Sequence, residues 1–232
     1  METQPWRLLT GRIELMMKDI SIYGAGGFGR EVLTILQAIN KVYNEWNIIG
    51  FFDDGKEKGT IINGYPLLGG IDDLNGWPKS LSMVVAIGAP TTKEYIIKRI
   101  CNKHIDFPSV LHPSVLIGDT TTVNIGTGCI ICANTVITTN VSIGDFVILN
   151  LACTVGHDSV IGKYSSFMPT CNISGEVNIG MSVYCGTGSC IINQKNIGEN
   201  ATIGAGSVVI HDVPDGATVV GVPAKVIKTK VV

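Results

Sequence analysis

The sequence predicts two consecutive units: an N-terminal α/β, Rossmann-like domain with a small parallel sheet, and then a solenoid of very short β-strands. Three observations carry this prediction. The first part of the chain alternates strand-like and helix-like segments. From about Val110 onward, aliphatic residues recur at every sixth position instead. Glycine is also in excess, with 28 residues out of 232, against a usual share of about 7%.

The first unit, residues 19–108, follows a β-α-β pattern. The predicted elements are strands at residues 20–23, 48–52 and 83–87 and helices at residues 30–40 and 91–101. The glycine-rich run 24–29 separates the first strand from the first helix. Parallel strands joined by helices bring their carboxyl ends to one edge of the sheet, so we expect a ligand to bind at that edge.

The second unit is defined by a hexapeptide repeat. Steps of six residues meet fourteen apolar residues in succession: Ile125, Ile131, Ile137, Ile143, Leu149, Val155, Ile161, Phe167, Ile173, Ile179, Cys185, Ile191, Ile197 and Ile203. The residue after each is often glycine, and the fourth after each is mostly small. A period of six does not fit an α-helix of 3.6 residues per turn, so we expect three hexapeptides to close one triangular coil of eighteen residues.

In such a coil the aliphatic residue points to the axis, and glycine is expected where a turn needs unusual backbone angles. Residues eighteen apart should stack. This places Cys153 against Cys171 and His157 against Gly175. The repeat also slips by two residues before Ile125, which indicates an imperfect first coil.

Composition and charge exclude several classes of protein. Mean hydropathy is +0.34, but no apolar run reaches the roughly 18 residues that a membrane helix needs. With 17 basic and 19 acidic residues there is no basic surface for a nucleic acid. Residues 1–18 carry no export signal and are interpreted as a short extension, and seven cysteines then favour reduced thiols in a cytoplasmic protein. Cys129 and Cys132 have the spacing of a metal pair, but no second pair completes a site, so we expect packing and no metal.

Several motifs accompany the repeat: residues 23–32 (Tyr-Gly-Ala-Gly-Gly-Phe-Gly-Arg-Glu-Val), 52–54, 150–158, 203–209 and 221–225. Together they resemble the left-handed β-helix sugar acetyltransferases, in the branch of sialic-acid O-acetyltransferases and nucleotide-linked 4-amino-sugar N-acetyltransferases. The resemblance implies a nucleotide-sugar-binding domain at residues 19–108 and a left-handed parallel β-helix with a C-terminal cap at residues 109–232. It also implies a homotrimer that binds acetyl-CoA in the groove between adjacent helices.

His157 is the candidate general base. It lies two residues after Val155, at a corner where its side chain should point outward, and an imidazole suits proton transfer near neutral pH. The resemblance implies that Asp158 orients or stabilises the imidazole, although adjacent residues on a strand normally point apart. It also places Asn150 close to the reacting groups. Gly175 could offer a backbone N–H to the thioester carbonyl, or it could be an ordinary turn glycine.

The resemblance implies two further sets of contacts. Backbone groups at Thr187 and Ala205 would contact the pantetheine arm of acetyl-CoA, and Gly204 and Gly221 are further cofactor-binding candidates. Lys225 would pair with a CoA phosphate.

For the second substrate, the glycine-rich run would let a phosphate approach a helix N-terminus; its residues are Gly24, Gly26, Gly27, Phe28 and Gly29. A dinucleotide-binding domain is built from two β-α-β halves, and the chain before the repeat has room for barely one. A single nucleotide-sugar therefore fits better than a dinucleotide. By resemblance, the base and ribose would be held by Asp53, Asp54, Ile87 and Gly88.

Two positions depart from the family pattern. Phe28 stands where the family often has histidine, and Ser166 stands where the amino-sugar enzymes tend to have a second histidine. Ser166 is included among the substrate-binding candidates, and it leaves a hydroxyl acceptor open.

We therefore expect an acetyl-CoA-dependent acetyltransferase that modifies an amino or hydroxyl group of a nucleotide-linked sugar during surface glycan biosynthesis. The alternatives are O-acetylation of a free or sialic-type sugar, a non-catalytic β-helix binding module, and an NAD-dependent enzyme.

Overall fold

The computed structural model describes residues 17–229. Residues 1–16 of the predicted extension lie outside this range. The N-terminal unit comprises β1 (Lys18–Tyr23), α1 (Gly27–Tyr43), β2 (Trp46–Phe52), β3 (Ile61–Ile62), β4 (Tyr65–Gly69), α2 (Ile71–Asn75), β5 (Leu81–Val85), α3 (Pro90–Arg99) and β6 (Ile105–Asp106). Its sheet has the order β3-β4-β2-β1-β5-β6, with β1 parallel to both β2 and β5.

The three strands and two helices that the β-α-β pattern predicts are all present. Helix α1 is longer at both ends than predicted, because the glycine-rich run itself supplies its first turn. The sequence analysis missed the short hairpin of β3 and β4, helix α2 and strand β6. These elements have two to five residues, which is too short for a period of 2 or 3.6 to be recognised.

The second unit is a parallel β-helix with three faces. Face A carries β7 (Val110–Leu111), β10 (Ile130–Ile131), β13 (Ile148–Leu149), β16 (Ser166–Phe167), β19 (Tyr184–Cys185), β22 (Thr202–Ile203), β24 (Ala217–Val220) and β25 (Lys225–Thr229). Face B carries β8 (Leu116–Ile117), β11 (Val136–Ile137), β14 (Thr154–Val155), β17 (Asn172–Ile173), β20 (Cys190–Ile191) and β23 (Val208–Val209). Face C carries β9 (Asn124–Ile125), β12 (Ser142–Ile143), β15 (Val160–Ile161), β18 (Asn178–Ile179) and β21 (Asn196–Ile197).

Strand pairing confirms the eighteen-residue coil. Leu149 pairs with Phe167, and Val155 pairs with Ile173. The first coil is longer, since Ile117 pairs with Ile137, twenty residues on, so the two-residue slip is confirmed. At the far end β25 turns back antiparallel on β24 and closes the sheet of face A.

The interior of the coils is built by the two positions that the repeat predicts. The aliphatic residues from Ile131 to Ile203 are buried, and so are the small residues four positions after them. Three of these small residues use a side-chain hydroxyl to donate to a carbonyl in the next coil, as Ser159 does to the carbonyl of Ser174 at 3.1 Å and Ser165 does to that of Gly180 at 3.0 Å. Cys129 and Cys132 are buried free thiols within the core.

One expectation about glycine is wrong. The periodic glycines, of which Gly144 is an example, do not have the positive φ that the sequence analysis assumed. The residue with a left-handed backbone conformation comes two positions after the glycine, as Phe146 does after Gly144, and its φ is +56°. A Cβ on Gly144 would lie 2.7 Å from the backbone nitrogen of Lys163 in the next coil. Close approach between coils, and not an unusual backbone angle, therefore requires glycine there.

The N-terminal unit packs on face A. Val32 and Leu36 of α1 share one buried cluster with Ile130 and Ile148 on the outer side of that face. Within residues 17–229, no helix combines the length and apolarity that a membrane crossing requires.

Candidate active site

His157 lies at the corner between faces B and C, which we call corner BC. The corner follows β14, and the His157 side chain points outward with 56% of its surface exposed. Its Nδ1 lies 2.8 Å from Oδ2 of Asp158. The expectation that adjacent side chains point apart is wrong here, because Asp158 is a turn residue with φ +58° and not part of a strand.

Asp158 is held on its other side by a residue that the sequence analysis missed. Asn140 Nδ2 donates to Asp158 Oδ1 at 3.0 Å from the preceding coil. The hydrogen bonds from His157 and then from Asn140 keep the pKa of the Asp158 carboxyl below its usual value, so it is ionised at neutral pH. The eighteen-residue step from Asp158 back to Asn140 is the signal that could have found this pair.

Since an ionised carboxylate only accepts hydrogen bonds, the proton of the neutral imidazole belongs on Nδ1. Within residues 17–229, no hydrogen bond is made to Nε2 of His157. This arrangement leaves Nε2 as a free acceptor on an exposed corner, which is what a general base requires.

Gly175 stacks against His157, as the coil length predicts. A Cβ on Gly175 would lie 2.5 Å from Nε2 of that imidazole, so only glycine leaves room for the ring. Gly175 is a turn residue without a positive φ, so the approach of the imidazole, and not an unusual backbone angle, requires glycine here. No acceptor within residues 17–229 takes the N–H of Gly175.

Most of the other candidate residues of the β-helix lie on a different corner, between faces A and B, which we call corner AB. Asn150 follows β13 at this corner, and Thr187 and Ala205 follow β19 and β22. Asn150 is buried, and its Oδ1 accepts the N–H of Leu151 at 2.7 Å. Thr187 and Ala205 are exposed. The structure thus aligns these residues along one edge of the helix.

The same edge continues to the C-terminal end. Gly204 precedes Ala205, and Gly221 follows β24 with φ +102° and donates its N–H to Ser207 at 3.1 Å. Lys225 begins β25 and is exposed. Coils in a parallel sheet are spaced by about 4.8 Å, so corner AB offers a line of backbone groups roughly 20 Å long from Asn150 to Gly221.

Within one chain, corner AB and corner BC are separated by a whole side of the coil. Asn150 and His157 are therefore not brought together by the fold of a single subunit: β14, which forms one side of the coil, lies between them. They would meet only if corner AB of one helix faced corner BC of another.

In the N-terminal unit, the glycine-rich loop is folded onto the ends of the parallel strands. A Cβ on Gly24 would lie 2.9 Å from the Ile87 side chain, so these two predicted residues are in contact. Gly29 is buried against the backbone of Gly24. Gly26 and Gly27 have open space beside them and are exposed at the N-terminus of α1, where no side chain caps the helix.

Asp53 fixes this loop. Its Oδ2 accepts the N–H of Ala25 at 2.7 Å, and its Oδ1 accepts the N–H of Gly55 at 2.8 Å. Asp54 has a different set of partners, because its carboxylate accepts the Tyr23 hydroxyl at 2.6 Å and the N–H of Ile71 at 2.8 Å. Burial and the neighbouring Asp54 raise the pKa of Tyr23 well above its usual value, so Tyr23 remains a donor. Both carboxylates thus hold protein elements, with Asp53 beside the open end of α1.

A cavity of about 680 Å³ lies between the two units. Its N-terminal wall is the turn from Gly88 into α3, and its β-helix wall includes Met168, Tyr184 and Thr202. The position that a Cβ would take on Gly88 lies 3.9 Å from Met168. Phe28, in contrast, is partly buried against the core of the N-terminal unit. The cavity links the strand ends of the first unit to face A of the second.

Ser166 lies inside the protein and not on an open substrate surface. It has no exposed area, and its hydroxyl accepts a hydrogen bond from Lys93 Nζ at 2.8 Å. Lys93, on α3, also points toward the carbonyl of Ser165 at 3.4 Å. Burial lowers the pKa of Lys93 to about 7. The sequence analysis missed Lys93, because nothing in a single helical lysine shows that it will be covered by a second domain.

Across residues 17–229, no three side chains of His, Cys, Asp or Glu are grouped so that they could hold a metal ion.

Residues 19–100 match the model of the PglD N-terminal domain. The chain is 33% identical over 176 residues to GDP-perosamine N-acetyltransferase from Escherichia coli O157:H7, which covers 75% of this chain and 78% of that protein.

Solved structures extend the likeness to both units. The acetyltransferase domain of PglB from Neisseria gonorrhoeae FA1090, in complex with acetyl coenzyme A, is 30% identical with a TM-score of 0.82, over 91% of this chain and 100% of that one. A mutant of perosamine N-acetyltransferase from Caulobacter crescentus, in complex with CoA and GDP-perosamine, is 26% identical with a TM-score of 0.81, over 90% and 96% of the two chains. The chain therefore belongs to the β-helix sugar acetyltransferases, the acyltransferase family that includes GDP-perosamine N-acetyltransferase.

Proposed function

We propose that this protein transfers an acetyl group from acetyl-CoA to the amino group of a nucleotide-linked sugar, with His157 as the general base. The observation that carries the proposal is the state of the imidazole: Asp158 contacts Nδ1, while Nε2 is unpaired on an exposed corner. The relatives support an amine acceptor, since they are N-acetyltransferases. We further propose that the acetylated sugar is used to make a surface glycan.

The residues of corner BC account for the proton and the charge. Nε2 of His157 removes a proton from the acceptor nitrogen as that nitrogen forms a bond to the thioester carbonyl carbon. The carbonyl electrons move to oxygen, and the free N–H of Gly175 stabilises the resulting oxyanion. When the C–S bond breaks, the imidazolium returns its proton to the departing thiolate. The products are an amide and free CoA, so atoms and charge balance.

Corner AB is the proposed site for acetyl-CoA. Its exposed residues Thr187 and Ala205 offer backbone N–H groups along the line of an extended pantetheine arm, and Lys225 at the end can meet a phosphate. The N–H of Gly221 is already donated to Ser207, so Gly221 would contact the coenzyme without donating a hydrogen bond. Because His157 is on the other corner, we propose a homotrimer in which corner BC of one subunit faces corner AB of the next. Each active site then contains Asn150 and His157 from two different subunits.

The nucleotide-sugar would bind the N-terminal unit and extend through the inter-domain cavity. Its phosphates would lie at the uncapped N-terminus of α1, beside Gly26 and Gly27, where the helix dipole and free N–H groups favour an anion. Asp53, beside this loop, and Gly88 would contact the nucleoside. The sugar would then occupy the cavity next to Met168.

A hydroxyl acceptor is the second candidate. It is favoured by Ser166, which replaces the second histidine found in the amino-sugar enzymes of the family. The burial of Ser166 against Lys93 reduces the weight of this observation, because its hydroxyl is already engaged inside the protein.

The decisive experiment measures release of free thiol from acetyl-CoA in the presence of a panel of nucleotide-linked amino and hydroxy sugars, GDP-perosamine among them. His157→Ala should reduce turnover by about 100-fold or more, since general base catalysis contributes factors of that size. Size-exclusion chromatography of the same variant should show an unchanged oligomer. Near-normal turnover would rule out His157 as the base.

A further inference from the structure

Residues with a left-handed backbone conformation stack in a column at corner BC. Asn140, Asp158, Glu176 and Gln194 are each eighteen residues apart and have φ values between +54° and +59°. Their side chains pair between adjacent coils as amide donor and carboxylate acceptor. Asn140 donates to Asp158 at 3.0 Å, and Gln194 donates to Glu176 at 3.1 Å. The column thus contains two similar hydrogen bonds, of which only the first touches the partner of His157.

The two carboxylate oxygens of Asp158 contact different neighbours. Oδ1 accepts from Asn140, and Oδ2 contacts Nδ1 of His157. Asp158 is half exposed and is not buried in a fixed pocket. Without Asn140, its carboxylate would be free to rotate toward water, and Nδ1 of His157 would lose a steady acceptor.

Asn140 is itself anchored in the wall of the helix. Its backbone N–H donates to the Thr122 hydroxyl at 3.1 Å, and that hydroxyl is also within 2.9 Å of the Thr139 hydroxyl. The carbonyl of Thr139 accepts the backbone N–H of Asp158 at 3.2 Å. The chain of contacts therefore runs from the first coil, through Asn140 and Asp158, to the imidazole.

We propose that Asn140 is a positioning residue for acetyl transfer, because its amide aims the Asp158 carboxylate at Nδ1 and so keeps the His157 proton on that nitrogen. This inference rests on the proposed function of His157 as general base. An imidazole whose proton shifts to Nε2 cannot accept the proton of the acceptor group. Asn140 therefore acts on the rate of transfer and not on the binding of acetyl-CoA.

Two substitutions separate this role from folding. Asn140→Gly removes the amide while glycine keeps the left-handed φ without strain, and Asn140→Asp keeps the shape but removes the donor. The matched control is Gln194→Gly. It removes the equivalent hydrogen bond, from Gln194 to Glu176, and Gln194 lies two coils beyond Asp158. We expect each Asn140 variant to lose about 10-fold in kcat, with the KM for acetyl-CoA unchanged and the control active, because small displacements of a catalytic group are costly.

A further readout does not depend on the rate. Nitrogen NMR of the His157 ring should show protonated Nδ1 in the wild type and a mixture of tautomers in Asn140→Gly. This measurement needs no sugar substrate.

The outcomes distinguish the positioning role of Asn140 from the role of His157 as general base. If Asn140→Gly matches Gln194→Gly in kcat and ring tautomer while His157→Ala is inactive, the positioning role is wrong and the general base stands. If His157→Ala is active, the proposed function fails whatever Asn140 does.

Discussion

The imidazole of His157 lies against Gly175, which occupies the same corner one coil further along. The ring fills the space that a side chain at position 175 would need, with Nε2 only 2.5 Å from the position of a Cβ. The N–H of Gly175 has no acceptor within residues 17–229, and we propose it as the donor for the oxyanion. The same glycine would then make room for the ring and supply that donor.

Gly175→Ala should impair catalysis with little effect on folding. The new methyl group would push the imidazole outward, while the non-positive φ at this position suits alanine. We expect kcat to fall by about 10- to 100-fold, because a displacement of about 1 Å is enough for such a loss. Thiol release measures the rate and thermal unfolding measures stability. Wild-type turnover in the variant would show that the ring position is not critical.

Asp158→Asn should lower kcat while the binding of acetyl-CoA persists. The substituted amide can turn its NH₂ group toward Nδ1, which would force the ring proton onto Nε2. The loss expected is about 100-fold, similar in kind to other enzymes in which an aspartate sets the tautomer of a catalytic histidine. Steady-state kinetics with varied acetyl-CoA separates kcat from KM. A raised KM with normal kcat would contradict the assignment.

The parts of the fold that could be predicted from the sequence are those whose residue pattern is long. Repetition over many coils made the stacking of His157 on Gly175 predictable to the residue. The function of the periodic glycines was misjudged, because a sequence shows only where glycine recurs. It does not show whether φ or the neighbouring coil requires it. That distinction depends on distances between coils, such as the approach of Gly144 to Lys163.

Two glycine substitutions, one limited by the neighbouring coil and one limited by φ, should therefore destabilise the protein for different reasons. In Gly144→Ala the Cβ would meet the Lys163 backbone at 2.7 Å, so the coils must separate, and we expect a cost of about 1–3 kcal/mol. In Gly206→Ala there is open space but φ is +66°, so only the backbone strain of about 1–2 kcal/mol applies. Urea unfolding compares the two. Insensitivity of Gly144→Ala would mean that the coils are more loosely packed than the structure shows.

Within the β-helix, a residue of the candidate site could be predicted only where the repeat fixes its position. Asn140 could have been found by the eighteen-residue step, but Lys93 could not, because its burial depends on how α3 docks on face A. The same holds for Ser166, which the family pattern suggests as a substrate residue and which docking encloses. Contacts between units thus set the limit of prediction from the sequence.

The inter-domain cavity predicts a role for Tyr184 in acceptor binding. Tyr184 is partly exposed on face A and lines the cavity beside Met168. Tyr184→Ala should raise the KM for the nucleotide-sugar by about 10-fold, since the loss of one well-placed contact costs about 1.4 kcal/mol. The KM for acetyl-CoA, which is proposed to bind on corner AB, should not change. An equal rise in both constants would indicate a general disturbance of the subunit.

The last prediction concerns the buried Lys93 and the pH dependence of stability. Burial lowers its pKa in the folded protein to about 7, whereas an exposed lysine has a pKa of about 10.4. Between these values the unfolded chain binds more protons than the folded one, so this group makes the protein more stable as pH rises from 7 to 10. Below pH 7 both states are protonated and the destabilisation is complete.

Lys93→Met removes this titration and preserves the apolar volume of the side chain. Because the substitution leaves the Ser166 hydroxyl without its donor, the comparison is made in the Ser166→Ala background, with and without Lys93→Met. At pH 7 the double variant should be more stable by about 1–3 kcal/mol, and this advantage should shrink toward pH 9.5. Urea unfolding at both values of pH gives the two differences. A difference independent of pH would mean that Lys93 remains charged inside the protein, with α3 opening enough to admit water around its ammonium.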